Sequence, residues 1–141
     1  MTTYTSADAL RSNLITDITK ALHGEYSAIY CYGILANQAP SSEIKEKILE
    51  IRNDEIRHYH TFSQIYLSLT GNQLKPQITE SCPDNYKSGV LAAFKDEQKT
   101  VDFYHEIARK YEVDVVRKAF MEASADEQNH AVWFLYFMNH S

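Results

Sequence analysis

The sequence has few residues that interrupt helices, because its 141 residues include only four glycines and three prolines. Glycine and proline are the residues that most often end helices and strands or form turns. Their scarcity therefore favours a few long secondary-structure elements over many short ones. The composition, 44% hydrophobic and 23% charged, is ordinary for a globular protein, and the length suits one core. We therefore expect a single all-helical domain over residues 1–141.

An excess of positive charge is also absent, because the net charge is −5 and no run of Lys or Arg occurs. This charge distribution argues against a surface that binds nucleic acid. The longest apolar runs, residues 28–36 and 131–138, are far shorter than the roughly 20 residues that span a bilayer. Residues 1–13 lack the charged-then-apolar layout of a signal peptide. We expect a cytoplasmic protein with no membrane or nucleic-acid partner.

Only two cysteines are present, Cys31 and Cys82, and they form no Cys-x-x-Cys pair. This excludes a zinc knuckle and a rubredoxin-type iron site. A disulfide between them is one alternative, but reduced cysteines in the cytoplasm are the simpler expectation. Cys31 would then be a small core residue.

Apolar residues recur at intervals of three and four, which predicts amphipathic helices. Pro40 and Gly71 mark the ends of the first two helices, and Ser41 is a favourable N-cap for the second. The predicted helices run from residue 5 or 6 to 38, from 42 to 70, from 87 to 111 and from 114 almost to 140.

The connection from residue 71 to 86 is long for neighbouring antiparallel helices. At roughly 3.3 Å per residue it could reach about 50 Å, the length of a bundle. Helices 2 and 3 could then run parallel, with one long crossover between two short-looped hairpins. We predict a four-helix bundle of this connectivity.

Two Glu-x-x-His motifs, Glu55/His58 and Glu127/His130, fall on separate predicted helices. Residues three apart share one face of a helix, so each motif presents a carboxylate beside an imidazole. One such motif arises by chance on many solvated faces, whereas two on amphipathic helices are better evidence for a metal site.

Two further glutamates complete the pattern, because Glu25 precedes Glu55 by 30 residues and Glu97 precedes Glu127 by 30. The midpoints, residues 40 and 112, are the two predicted tight turns. Each glutamate therefore lies about 22 Å from its turn, and the two in a hairpin must come level. The two halves match at an offset of 72, which indicates a duplicated hairpin.

Four carboxylates buried together would repel one another, and two divalent cations would cancel their charge. Oxygen and imidazole ligands suit iron or manganese, and less typically zinc. We predict that Glu55 and Glu127 bridge the two ions and hold them close enough to act on both atoms of O2 or peroxide. Any one of these side chains could instead be a salt-bridged core residue, but the matched spacing of the whole set favours ligands.

Two pairs of residues related by the same offset flank the predicted ligands. Asp54 and Asp126 each precede a bridging glutamate, and we expect them to accept the outer ring N–H of a ligand histidine. Solvated aspartates are the alternative. Tyr32 and Tyr104 each lie seven residues after a ligand glutamate, so they are candidates to donate protons or intercept oxidants. Filling of the core is the alternative for both.

Residues 131–138 are apolar all round the predicted helix, and residues 28–36 nearly so. A lone four-helix bundle cannot bury such a helix on every side. We expect a homodimer that covers these stretches, and a terminal helix tightly covered within one subunit is the alternative.

The ligand pattern resembles the ferritin-like superfamily, and the rubrerythrin branch most closely. The resemblance implies a non-haem di-iron centre that reacts with peroxide or oxygen, in a dimer or larger assembly. Rubrerythrins usually append a Cys-x-x-Cys rubredoxin domain, which this sequence lacks, so we expect electrons from a separate protein. They also carry an additional glutamate one turn from the helix-3 ligand, where this sequence has Phe94 and Thr100.

The resemblance and the residues together favour a di-iron oxidoreductase that reduces peroxide or O2 with electrons from another protein. One alternative is a ferritin-type ferroxidase that stores iron in an oligomer. Another is a di-iron oxygenase acting on an organic substrate, which requires a pocket beside the metals. The sequence leaves the metal, the donor and the substrate open.

Overall fold

The computed structural model describes residues 6–140, which form four helices and, within that range, no strand. A helix start at residue 5 would lie outside the described residues. The helices are α1 (Ser6–Gln38), α2 (Ser42–Thr70), α3 (Tyr86–Lys110) and α4 (Asp114–Asn139). The predicted all-helical fold is confirmed, and the predicted bounds agree within a residue or two.

Local capping explains where α2 and α3 begin and end. The Ser41 hydroxyl accepts the Ile44 N–H at 3.3 Å, and the Asn85 side-chain carbonyl accepts the Ser88 N–H at 2.9 Å. These bonds satisfy N–H groups that have no partner inside a helix. Gly71 ends α2 with φ 76°, a left-handed conformation that glycine adopts without a Cβ clash.

Two apolar clusters fill the two ends of the bundle. All four helices contribute to the first cluster, for example, from α1 to α4, with Ile18, Phe62, Tyr104 and Phe120. The second likewise includes Leu35, Ile48, Val90 and Phe134. The first cluster draws on the early parts of α1 and α4 and on the late parts of α2 and α3. Helices α2 and α3 therefore run parallel to each other and antiparallel to α1 and α4, which confirms the crossover connectivity.

The segment from residue 71 to 85, called the crossover segment below, returns alongside α1. It is held on one face of that helix by residues spaced four apart. The contacts are Gln77 N–H to His23 Nδ1 at 3.0 Å, Thr79 N–H to Ser27 Oγ at 2.9 Å, and a disulfide from Cys82 to Cys31.

The expectation of two reduced cysteines was wrong, because Cys31 and Cys82 form a disulfide. Their Cα atoms lie 5.2 Å apart although 51 residues separate them in sequence. The crossover segment brings Cys82 to the face of α1 that carries Cys31. That lateral path depends on the fold and not on cysteine spacing.

Part of the apolar surface remains uncovered within one chain. Val132 is 61% exposed on the outer face of α4, with Leu135 and Tyr136 beside it, and Tyr30 on α1 is 54% exposed. The alternative of a terminal helix tightly covered by its own subunit was wrong for this face. A homodimer stays a prediction. No helix within residues 6–140 is long and apolar enough to cross a membrane.

Candidate metal centre

All six predicted ligands meet in the middle of the bundle, between the two apolar clusters, and each is almost fully buried. They form two overlapping groups whose ligand atoms lie within 4.8 Å of one another. The groups are Glu25, Glu55, His58, Glu127 and Glu55, Glu97, Glu127, His130. The glutamates shared by both groups are Glu55 and Glu127, the two that the sequence predicts to bridge.

Both imidazoles turn Nδ1 toward the carboxylates. His58 Nδ1 lies 3.0 Å from Glu25 Oε2 and 3.1 Å from Glu127 Oε1. His130 Nδ1 lies 3.5 Å from Glu97 Oε2 and 3.6 Å from Glu55 Oε1. Each Glu-x-x-His motif therefore presents one nitrogen and one carboxylate to a common space, as residues three apart on a helix should.

Several buried ligand atoms in this space have no hydrogen-bond partner within the described part of the chain. They are Glu55 Oε1, Glu97 Oε2, Glu127 Oε1 and His130 Nδ1. A buried polar atom without a partner costs on the order of 1–3 kcal/mol, and more if charged. Cations coordinated by these atoms would remove that cost, so the donor set fits a pair of divalent metal ions.

The carboxylates of the cluster do not titrate alike. Burial, reinforced by repulsion from Glu55, raises the pKa of Glu25 to about 8. Burial and the negative charge of Glu55 also raise the pKa values of Glu97 and Glu127. Burial opposes ionisation of Glu55 as well, but the nearby His58 and Glu127 lower its pKa to about 2. Without metal, the pKa of Glu55 is thus lowered while the pKa values of the other three glutamates are raised.

The histidines respond in the opposite sense to the same charges. Burial alone would lower the pKa of His58, but its hydrogen bonds to Glu25 and Glu55 raise that pKa to about 11. The pKa of His130 likewise rises to about 9, because Glu97 and Glu55 outweigh burial. Metal binding must displace protons from both rings, since a ligand histidine is neutral.

Each ligand histidine is oriented by an aspartate from the other hairpin. His58 Nε2 donates to Asp126 Oδ2 at 2.8 Å, and His130 Nε2 donates to Asp54 Oδ2 at 2.7 Å. Donation from Nε2 leaves Nδ1 as the metal-facing nitrogen. Arg57 bonds both aspartates, at 2.9 Å and 3.2 Å. Sequence reasoning missed Arg57, although its place three residues after Asp54 was a usable signal.

Each of the two predicted tyrosines lies near a candidate ligand glutamate on a different helix. Tyr32 on α1 donates to Glu97 Oε1 on α3 at 2.6 Å. Tyr104 on α3 lies close enough to Glu25 on α1 for the charge of that carboxylate to raise the pKa of the hydroxyl. Burial and the nearby carboxylates raise the pKa values of both tyrosines, so both hydroxyls stay protonated at neutral pH.

A cavity of about 540 Å³ opens between α1 and α3 and reaches the metal centre, and it is called the access cavity below. Glu25, Glu55, Glu97 and Glu127 form part of its lining. Thr79 and Glu80 of the crossover segment line it as well. Small molecules can therefore reach the carboxylates from the surface.

An all-helical bundle with two inward Glu-x-x-His motifs and two further glutamates is the architecture of ferritin-like carboxylate proteins. The sequence model of the rubrerythrin family matches residues 90–141. The uncharacterized protein YhjR of Bacillus subtilis (strain 168) is 52% identical over 125 residues, which cover 89% of this chain and 86% of YhjR. The chain belongs to the ferritin-like superfamily, in the same family as YhjR.

The fold has a solved counterpart in the dodecameric thioferritin described as the bacterioferritin-related protein from Bacteroides fragilis. The TM-score is 0.83 at 17% sequence identity, over 92% of this chain and 86% of that protein. At this identity the likeness shows the fold alone.

Proposed function

We propose that this protein is a di-iron oxidoreductase that reduces hydrogen peroxide or O2 at the six-ligand centre. The observation that carries the proposal is the pair of overlapping groups that share Glu55 and Glu127. Glu25, Glu55, His58, Glu97, Glu127 and His130 would hold two ions, and such a pair would supply charge stabilisation for both oxygen atoms of a peroxide. Iron bound there would supply redox electrons, manganese would suit the same donors, and zinc would supply no redox chemistry.

The side chains around the centre suit a reaction that consumes protons. Reduction of peroxide to two waters takes two electrons and two protons. Tyr32 and Tyr104 each carry a proton at a buried hydroxyl near a candidate ligand glutamate, and the hydroxyl of Tyr32 donates to Glu97. We propose that these two tyrosines deliver protons to the centre and accept replacements through the access cavity.

We propose that the electrons come from a separate donor protein. A rubredoxin-type iron site needs thiolates, and Cys31 and Cys82 are joined in a disulfide. The two electrons per peroxide must therefore enter from outside the described residues. A cytoplasmic setting, proposed from the sequence, requires that this disulfide persist in a reducing compartment.

The exposed apolar face of α4 supports self-association. The Bacteroides fragilis protein is dodecameric, so the fold is compatible with assemblies larger than a dimer. We propose a homodimer as the minimum unit, with Val132, Leu135 and Tyr136 in the contact.

The decisive experiment is anaerobic loading with Fe(II), followed by stopped-flow reaction with peroxide and, separately, with O2. We expect two irons per chain and two Fe(II) oxidised per peroxide. The matched variants are Glu97→Gln, which removes one ligand charge, and Glu106→Gln, which changes an exposed glutamate on the same helix. Loss of rapid oxidation in the first variant alone would support the proposal. A hollow cage that accumulates many irons per subunit would instead favour the ferritin-type storage function.

A second candidate function is oxidation of an organic substrate with O2, and the access cavity specifically favours it. The sequence alone could not show a pocket beside the metals, and the structure has one of about 540 Å³. Peroxide consumption without product from any added organic compound would count against this candidate.

A further inference from the structure

The access cavity is much larger than peroxide or O2 requires. Its volume of about 540 Å³ falls within the roughly 300–1,000 Å³ typical of sites for small organic ligands. It extends from exposed Lys20 and Lys99 to the buried carboxylates of Glu25 and Glu97. A channel that admits only O2 or hydrogen peroxide would not need this volume.

Gly24 provides an independent sign that the space is kept open. Glycine in a helix interior costs roughly 0.5–1 kcal/mol relative to alanine. A Cβ added at Gly24 would meet no atom within 4 Å, so no close packing demands the glycine. By contrast, a Cβ at Gly89 would lie 2.6 Å from Leu35, which explains that glycine structurally. Gly24 is exposed and lines the access cavity, so we expect a large side chain at this position to reduce the open volume.

The wall next to Gly24 includes apolar side chains, and a lysine lies beside them. Ala21, Ala28 and Phe103 line the cavity, and Lys20 Nζ lies 4.5 Å from the Phe103 ring centroid. Within residues 6–140 the ion pairs of lysines and arginines do not involve Lys20, whereas the charge of Lys99 acts on the carboxylate of Asp96. A lysine without a carboxylate partner at the outer end of the cavity is suited to bind an anionic group.

We propose that the access cavity binds a small organic anion with an apolar body, as a second ligand beside the metal centre. Its anionic group contacts Lys20 at the outer end, and its apolar body lies along Ala21, Gly24 and Ala28. This orientation follows from charge, because the lining also holds the carboxylates of Glu80 and Asp96 besides the four at the inner end, and Lys20 is the cation that they leave for an anion. The proposal rests on the proposed function only in placing the ligand next to a metal site.

The test is calorimetric titration of octanoate into the zinc-loaded chain and the metal-free chain, where no turnover occurs. The comparison ligands are 1-octanol, which has the same apolar body without charge, and acetate, which has the charge without the body. We expect saturable octanoate binding in both forms of the protein. A favourable contact with one lysine should make octanoate bind roughly threefold to tenfold tighter than octanol.

Two variants test the two ends of the site. Gly24→Leu fills the cavity and should weaken octanoate at least about tenfold. Its control is Asn37→Leu, which adds the same side chain at an exposed position of α1 outside the cavity. Lys20→Ala should weaken octanoate and leave octanol unchanged. Its control is Lys95→Ala, an exposed lysine on α3 that does not line the cavity. The melting temperature of each variant checks folding.

Four results would overturn the proposal. Three of them are an absence of saturable octanoate binding at millimolar concentration, an unchanged affinity in Gly24→Leu, and octanol binding as tight as octanoate. An affinity that depends on zinc but not on Lys20 would also overturn it, since the carboxylate would then bind the metals. Failure of peroxide reduction would leave these binding results intact, so the two proposals fail separately.

Discussion

His58 on α2 is paired with Asp126 on α4, whose Oδ2 lies 2.8 Å from the imidazole Nε2. The reciprocal pair, His130 with Asp54, also joins the two helices. Each histidine therefore depends on the other hairpin for its orientation. The candidate metal centre is therefore complete only when the two hairpins are docked against each other.

We predict that Asp126→Ala weakens metal binding by about 10–100-fold, the usual effect of losing an outer partner of a ligand histidine. Zinc affinity measured against a chromophoric chelator gives the magnitude. Nitrogen NMR of the zinc-loaded protein should show a changed signal from His58 and little change from His130. Asp102→Ala, at an exposed position of α3, is the control. A change confined to His130 would contradict the crossed pairing.

Spacings along the sequence were enough to predict the helices. They also predicted that the six candidate ligands lie at the same height along the bundle axis. Helical rise converts the spacing of Glu25 and Glu55 around a turn into a height in the bundle. Pro40, Ser41 and Gly71 act through local backbone chemistry, which a single sequence reveals. These features needed no knowledge of how the helices rotate against one another.

The features that sequence did not reveal depend on lateral packing. The crossed partners of Asp54 and Asp126 follow from the rotation of α2 against α4. The Cys31–Cys82 disulfide follows from the path of the crossover segment over α1. The open space beside Gly24 depends on the gap between α1 and α3. No periodic pattern or fixed spacing of residues in the sequence indicates any of these features.

We predict that the metal-free protein becomes more stable as the pH falls from 8 to 5. The native pKa of Glu25 is about 8 and that of His58 is about 11, both above their unfolded values. The native state therefore holds protons that the unfolded state has released, and stability falls as the pH rises. Each such proton contributes about 1.4 kcal/mol per pH unit between the unfolded and the native pKa of its group. The lowered pKa of Glu55 acts in the opposite sense only below about pH 4.5.

Metal-loaded protein should show the opposite trend, because protons compete with metal for the same atoms. The difference in melting temperature between the loaded and chelated forms should therefore narrow from pH 8 to pH 5. Differential scanning calorimetry at several pH values measures both curves. An unchanged melting temperature on chelation at pH 8 would show that the carboxylates do not share a buried site.

We predict that the disulfide contributes on the order of 4 kcal/mol to stability, because it closes a loop over a separation of 51 residues. The double variant Cys31→Ser/Cys82→Ser should lower the melting temperature, and reductant should lower that of the native chain similarly. Reductant should not affect the double variant further. Alkylation of the protein in intact cells, before lysis, would show whether the two cysteines are joined where the protein resides.

The additional rubrerythrin glutamate would lie one helical turn from Glu97, at position 94 or 100. Thr100 lines the access cavity beside Glu97, whereas Phe94 packs against the second apolar cluster. The native chain therefore has no carboxylate at either place to compete with a histidine. We expect His58 and His130 to remain ligands in both oxidation states. Crystal structures of reduced and peroxide-treated iron protein test this, and movement of one iron from His58 by more than about 1 Å would contradict it.

Thr100→Glu should place a carboxylate at the metal centre, because position 100 lies one helical turn from Glu97 and faces the cavity. An added anion stabilises the higher charge of the oxidised metals, so the midpoint potential should fall. Thr100→Gln has nearly the same size without the charge and should leave the potential close to that of the native protein. Redox titration compares the three chains. An equal shift in both variants would mean that size at position 100, and not charge, changes the centre.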